Sequence, residues 1–410
     1  MIPESPKLAP LMPLHDALAA LTGRLAPTPA QRTRLPEAVG GVLAEDIRAD
    51  RPSPPADVSA MDGYAVRTGD SAILARDGLP ISGEVETGAP VMGLPSGAAM
   101  RIFTGGAVPL GADAVVKRED TIESPERVLL GPASALISKG MNIRRVGENA
   151  RAGDLIVSSG AIVSPSVTAA LASFGVTRPM IRRRVRVSIL VTGDEVGDAS
   201  DSITATRIRD SNGPMLTAML GGLGWIHIVR VGRVADDPVA LREALGAALD
   251  DADCVFTSGG VSMGDHDHVP AIAASLGGDT VFHRLSIKPG KPVFSAVFEG
   301  GRALLGLPGN PVSALVTARV IGLPALATLA GAPSIAVGPS ARCTAVNPET
   351  RALSMTRFVL AERVGADRVR LIAGKGSGDV AALARSHGVA QIPSGDTGAG
   401  PFDYYSWRIS

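Results

Sequence analysis

The chain has 410 residues with 40 Lys+Arg against 40 Asp+Glu, and this formal net charge of zero removes the broad positive field that sequence-independent nucleic-acid binding or docking on anionic lipid needs. At about 100–200 residues per domain, the length predicts two to four domains. Two distant cysteines, Cys254 and Cys343, exclude a disulfide framework and a Cys-rich zinc module, and they fit a reducing cytoplasm.

From the start to about Glu45 the pattern is helical, with Leu14, Leu18 and Leu21 on one face of a helix expected over Leu14–Leu25. Between Asp46 and Arg145, short apolar runs (Gly63–Val66, Met100–Phe103, Ala114–Val116, Val128–Leu130) alternate with Gly/Pro turns, as in a β-rich module. Asn142–Ala170 is helix-capable again, so that module reads as an insertion, with 1–45 and 146–180 as one extended helical part and 46–145 as the insert. Arg186–Thr192 opens a βα alternation (helix Asn212–Leu223, strand Ile226–Val231, helix Pro238–Asp250, strand Cys254–Thr257) that predicts a parallel, doubly wound sheet over 181–331. The apolar window Val312–Ala330 carries Arg319 and Pro324 and reads as a buried helix ended by the proline rather than a membrane span. The remaining 332–410, with strands expected at Phe358–Ala361, Val369–Ile372 and Trp407–Ile409, predicts a small C-terminal β-domain.

Neither G-x-G-x-x-G after a strand nor a G-x-x-x-x-G-K-[ST] loop occurs. Ligands of open α/β sheets bind beyond the carboxyl ends of the strands, and three unusual loops lie there. In Thr257-Ser258-Gly259-Gly260-Val261-Ser262-Met263-Gly264-Asp265, adjacent glycines let backbone N–H groups converge on a phosphate, although a plain tight turn accounts for the pattern equally well. Lys288-Pro289-Gly290-Lys291-Pro292 holds two ammonium groups in a stiff loop, or is a solvated turn. Leu307-Pro308-Gly309-Asn310-Pro311-Val312-Ser313 puts Asn310 at an N-cap and Pro311 at N1, a helix start suited to an anion.

Carboxylates accompany these loops, as a magnesium-assisted phosphoanhydride reaction requires. Asp194, read as a helix cap, and Glu195 end the first α/β strand, and Asp265 and Asp267 follow the Gly-Gly loop. The run Asp265-His266-Asp267-His268 lacks a remote third ligand motif for zinc. In the β-rich module, Asp62 and Thr104 sit in Gly turns, and Arg182-Arg183-Arg184 reads as a solvated edge.

In order along the chain, S-A-M-D-G-Y-A-V (59–66), R-I-F-T-G (101–105), G-A-D-A-V-V (111–116), T-G-D-E (192–195), D-S-N (210–212), S-G-G-V-S-M-G-D-x-D (258–267), I-K-P-G-K-P (287–292) and G-L-P-G-N-P-V-S-A (306–314) resemble the molybdopterin molybdenumtransferase (MoeA) family, relatives of the gephyrin E domain. The resemblance implies a multidomain α+β fold: an extended helical domain, an inserted β-rich module, a MogA-like doubly wound α/β domain and a small C-terminal β-barrel. It implies a cytoplasmic homodimer with a shared cleft, in transient contact with a MogA-like adenylyltransferase and with cofactor-acceptor proteins, and no nucleic-acid or membrane partner.

The implied reaction is Mg2+-dependent insertion of molybdate into adenylyl-molybdopterin, giving molybdenum cofactor and AMP; the alternative is a carrier paralogue that binds without turnover. By position, the resemblance gives catalytic roles to Asp62, Thr104, Glu195, Asp236 and Asp267, with Asp267 and Glu195 at the metal. It gives substrate or molybdate binding to Ser258, Gly259, Gly260, Ser262, Lys288, Lys291, Pro292, Asn310, Ser313, Arg357 and Ser377. Asn149 stands where the family commonly has Asp, Ala56 and Val58 flank Asp57 in place of Phe and Asn, Arg284 stands where Lys is frequent, and His266 and His268 are atypical.

Overall fold

The computed structural model describes residues 11–132, 136–198, 200, 204, 206–261, 267–348 and 352–409. The chain divides into two compact units, one formed by 46–158 with 170–176 and the other by the remainder.

The first unit holds a six-stranded sheet. Its strands are β1 (Gly63–Val66), β2 (Leu79–Val85), β3 (Ala99–Ile102), β4 (Ala114–Lys117), β5 (Thr121–Glu123) and β6 (Arg127–Leu130), in the order β4-β1-β3-β2-β6-β5. Strand alternation sends Tyr64 and Val66 into a cluster with Leu74, Val116 and Val128, and Ala65 into another with Met100 and Val115, so all of β1 is buried. Between Asn142 and Ser164 the expected helix is absent: short strands Ile143–Arg144 and Leu155–Val157 pair with Val58–Ser59 and Ile47–Arg48, and helix begins only at Pro165. Glycines at positive φ (Gly147, Gly153, Gly160) interrupt any helical run there.

At the end of β5, Glu123 accepts hydrogen bonds from the Tyr64 hydroxyl and from Arg118 and Arg101, which hold its carboxyl down to about 2. A carboxylate whose folded pKa lies below its unfolded value stabilises the fold above about pH 4.5, and that stability is lost as pH falls towards 2. Glu123→Gln is therefore expected to be less stable than wild type at pH 7, with the gap closing on acidification through that window. Thermal unfolding against pH checks it; parallel curves would refute it.

In the second unit, α1 (Leu14–Thr22) buries Ala17 and Leu21, one helical turn apart. The strand Ala30–Arg32 then pairs antiparallel with Met180–Arg182, so the N-terminal segment is not helical throughout. The central sheet comprises β7 (Val185–Thr192), β8 (Ile226–Val234), β9 (Cys254–Ser258), β10 (Asp279–His283), β11 (Phe294–Val297) and β12 (Ala303–Leu307), ordered β8-β7-β9-β12-β11-β10. Helix α2 (Asn212–Gly221) covers one face through Leu216 and Leu220 against Val187 and Ile189. Helices α3 (Pro238–Asp251) and α4 (Val269–Ser275) cover the other against Leu190, Val255 and Leu304. The sheet is mixed rather than fully parallel, because β11 runs antiparallel to both of its neighbours, β12 and β10. The link from β11 to β12, a Gly300-Gly301 turn, is too short for the crossover that parallel strands require.

Helix α5 (Pro311–Ala330) is the one helix among the described residues long and apolar enough to cross a membrane, and it lies in the protein core. It does not end at Pro324. A widened π turn over Ala318–Gly322 absorbs the missing proline N–H, and the helix resumes to Ala330. Arg319, in that turn, is 1% exposed. It donates to the carbonyls of Val337 (2.6 Å), Gly338 (3.0 Å) and Ser406 (3.0 Å), with its guanidinium over the Tyr405 ring. Burial lowers its pKa to about 10, which leaves it a cation at neutral pH.

The C-terminal region is a closed five-stranded barrel of β13 (Ala341–Ala345), β14 (Thr356–Arg363), β15 (Arg368–Leu371), β16 (Gly388–Ile392) and β17 (Phe402–Ser406), ordered β14-β15-β13-β17-β16 with β16 returning to β14. Trp407–Ile409 lies past the last strand, and β13 and β16 complete a closure that the alternation of short runs does not reveal.

Candidate functional site

Register places the carboxyl ends of three parallel strands side by side: Val191 faces Ser258, and Ser258 faces Leu307. The loops that leave them wall a cavity of ≈ 660 Å³ lined by Glu195, Asp236, Ser258, Gly259, Gly260, Asp267, Pro292 and Asn310 among others. The side of the sheet where such folds bind ligands thus holds eight of the residues singled out in the sequence.

Local geometry explains the glycines. Gly259 has φ +101°, and a Cβ there would stand 2.5 Å from Thr192 Oγ1 and 3.0 Å from Thr192 O, so any side chain would part the ends of β7 and β9. Gly193, at φ +135°, leaves room for the Glu195 carboxylate, whose oxygens lie 2.9–3.0 Å from where a Cβ would sit. Asp194 is not a helix cap: no helix follows it, and its Oδ1 accepts from the Asp236 backbone N–H at 3.1 Å, tying the loops after β7 and β8 together.

Asn212, to which sequence reasoning gave no role beyond the D-S-N motif, is 6% exposed and lines the same cavity. Its Nδ2 donates to Ser258 Oγ and to Gly309 O, both at 2.7 Å, which joins the Gly-Gly loop to the loop before α5. The signal available in the sequence was an amide at the first position of a helix that starts beyond a strand end, where its side chain can serve neighbouring loops. Asp210, beside it, accepts from Gly213 N–H at 2.9 Å.

A second cavity, ≈ 700 Å³, adjoins the first at Pro292, Pro308 and Asn310 and is lined by Lys288, Lys291, Ser313, Arg357 and Ser377, with Met355, Phe358 and Leu360 as its apolar wall. Its cations converge for a backbone reason. Ile287–Lys288 pairs parallel with the start of β14, opposite Thr356 and Arg357, so Lys288 stands beside Arg357. Both lysines are exposed, whereas Arg357 is 5% exposed and donates through Nη2 to Asp396 O.

The loop Gly374–Gly378 of the barrel reaches both cavities. It is shaped by Asp379, which accepts from the backbone N–H of Lys375 and Ala382, both at 2.9 Å. Those bonds hold the Asp379 carboxyl below its ordinary pKa. The start of α5 offers an anion less than the sequence suggests. Pro311 has no N–H, Val312 N–H is taken by Ser377 O at 3.0 Å, and Asn310 occupies the N-cap position without a side-chain cap bond.

Asp62 and Thr104 belong to the other unit, where they form a pair of their own. Thr104 donates to Asp62 Oδ1 through its backbone N–H (2.8 Å) and hydroxyl (2.7 Å), and the backbone bond foremost lowers the Asp62 pKa. In the same unit Asn149 accepts from Arg144 and donates to Ser53 Oγ, and Asp57 is bonded by Val146 N–H and Arg145. Ser262, Asp265 and His266 lie outside the described residues.

Residues 12–175 match the family described as the MoeA N-terminal region (domain I and II), and residues 188–328 match a probable molybdopterin binding domain. A molybdopterin molybdenumtransferase of Haemophilus influenzae is 36% identical over 74% of this chain and 74% of its own length. One from Staphylococcus aureus is 30% identical over 94% of this chain and 93% of its own. The crystal structure of a molybdopterin biosynthesis MoeA protein from Pyrococcus horikoshii superposes with a TM-score of 0.80 at 26% identity, covering 97% of this chain and 99% of that one. With the MoeA fold, the paired cavities and these relatives in agreement, the chain belongs to the molybdopterin molybdenumtransferase (MoeA) family of molybdenum cofactor biosynthesis.

Proposed function

We propose that the protein inserts molybdate into adenylyl-molybdopterin, releasing AMP. The observation that carries this reading is the adjacency of the two cavities: a carboxylate-lined one with a Gly-Gly loop, and a cationic one sharing Pro292, Pro308 and Asn310 as its boundary. The carboxylate cavity suits the pterin and adenylate phosphate of one substrate. The cationic cavity suits molybdate, a tetrahedral dianion, through Lys288, Lys291, Arg357 and the hydroxyls of Ser313 and Ser377.

The hard oxygen donors of Glu195 and Asp267 fit Mg2+, which takes one or two carboxylates and fills the rest of its shell with water and phosphate oxygens. Among the described residues no three acidic, His or Cys side chains form a metal cluster by themselves, so phosphate would complete such a site. Bound there, Mg2+ would neutralise charge on the phosphoanhydride oxygens. Asp236 would hold the loop geometry beside it through its backbone bond to Asp194.

In this reading Asp62 and Thr104 enter the cleft from a second subunit of a homodimer, and the reaction is cytoplasmic, in keeping with two free, buried cysteines. Incubation with adenylyl-molybdopterin, Mg2+ and molybdate tests it. Wild type is expected to release AMP in a molybdate-dependent manner, and Asp267→Ala to lose at least about 100-fold of that rate, the scale of removing one charge-stabilising group. Undiminished turnover by Asp267→Ala would refute the assignment, and tight binding by wild type without AMP release would identify a carrier.

A further inference from the structure

At the amino-terminal ends of β7 and β8 lies a third cavity of ≈ 310 Å³, whose lining includes Arg182, Arg183, Arg184, Arg186 and His227 together with Gln31, Thr33 and Glu37. Arg186 is at the start of β7 and Thr192 at its end, six residues on, so roughly 20 Å of strand separates this cleft from the two cavities above. Register sets Arg186 beside His227 on β8.

The arginines are not equivalent. Arg183 is spent: its guanidinium makes two bonds to Asp253, at 2.8 and 2.9 Å. Arg182 is held by Thr28 O at 3.0 Å, which fixes its position but not its charge. Arg184 and Arg186 are exposed, and among the described residues no carboxylate pairs with either, or with Arg182. Glu37 is the acid in the lining, and it lies 3.7 Å from Arg34, outside this group.

Three guanidinium cations without anionic partners thus crowd one concave site in a chain whose total charge is zero. Like charges gathered in this way raise each other's energy, and a bound anion relieves it. The guanidinium fork matches the oxygens of phosphate two at a time.

We propose that this cleft is a second anion site, binding the phosphate or diphosphate group of a small molecule between Arg184 and Arg186 with Arg182 and the Gln31 and Thr33 side chains as its floor. The site is independent of the cavities assigned to molybdate and pterin. Titration calorimetry with orthophosphate, pyrophosphate and AMP tests it at low salt in the Lys288→Ala/Lys291→Ala protein, so that the cationic cavity does not compete.

Pyrophosphate is expected to bind at one site, and Arg184→Ala/Arg186→Ala in that background to weaken it at least tenfold. The Arg184→Ala/Arg186→Ala change on its own should leave the rate of AMP release as in wild type. AMP binding that is as tight as that of pyrophosphate and is lost in the same arginine variant would identify a phosphomonoester as the group recognised, and arginine-dependent binding of pyrophosphate alone a diphosphate. Equal pyrophosphate affinity with and without the two arginines, or no binding at all, would overturn the proposal. So would a single-stranded oligonucleotide that binds more tightly than pyrophosphate and is lost in the same variant, since that would make the cleft a nucleic-acid contact.

Discussion

Replacing Lys288 and Lys291 together by alanine is expected to raise the KM for molybdate about 100-fold or more while leaving thermal unfolding unmoved. Each charge-assisted hydrogen bond to an oxyanion contributes about 1.5–3 kcal/mol, so losing two costs roughly 3–6 kcal/mol of molybdate binding. Both side chains are exposed and, among the described residues, neither has an ion pair, so the fold has little to lose. Arg357 and Ser377 remain, which predicts weakened rather than abolished use of molybdate, with the wild-type affinity falling as salt is raised. Steady-state kinetics over a molybdate series measures this. An unchanged KM would move the oxyanion elsewhere.

The second large effect concerns stability. Arg319→Met keeps much of the volume of the side chain but removes the donors on which the carbonyls of Val337, Gly338 and Ser406 depend. At about 1–3 kcal/mol for each buried polar group left unsatisfied, the expected loss is about 3–5 kcal/mol, allowing for partial relaxation towards water. For a unit of this size that corresponds to a fall in Tm on the order of 10 °C. Arg319→Lys retains the cation but not the planar fork, and should fall between the two. A Tm within about 1 °C of wild type for Arg319→Met would show that the carbonyls find other donors.

The buried arginine also illustrates what the sequence could and could not convey. The largely apolar run of β7 and the helices around it are legible because burial on both faces leaves a one-dimensional trace in Val187, Ile189 and Leu190. The run Val312–Ala330 is equally legible as a core helix, but its passage through Pro324 depends on a π turn and on carbonyls from distant segments, which no local pattern encodes. For the same reason the barrel is read only in fragments: closure between β14 and β16 is a pairing of remote strands with short, weakly alternating sequences.

The site divides along similar lines. Loops at strand ends are visible as Gly, Pro and Lys clusters, and the lining of the two cavities collects Glu195, Asp267, Lys288, Lys291 and Ser313 as their motifs suggest. Asn212 escapes because its importance lies in spending both amide hydrogens on loops 46 and 97 residues away. Asp194 is misread because a carboxylate before a polar residue looks the same whether it caps a helix or braces a neighbouring loop.

The boundary between the cavities is made by Pro292, Pro308 and the side of Asn310. Two of these three residues are prolines without a backbone N–H, so the hydrogen-bond donors of the divide belong to Asn310, whose side chain makes no cap bond. Under the proposed function, a dianion crossing from the lysines towards the Gly-Gly loop would meet Asn310 on that shared boundary.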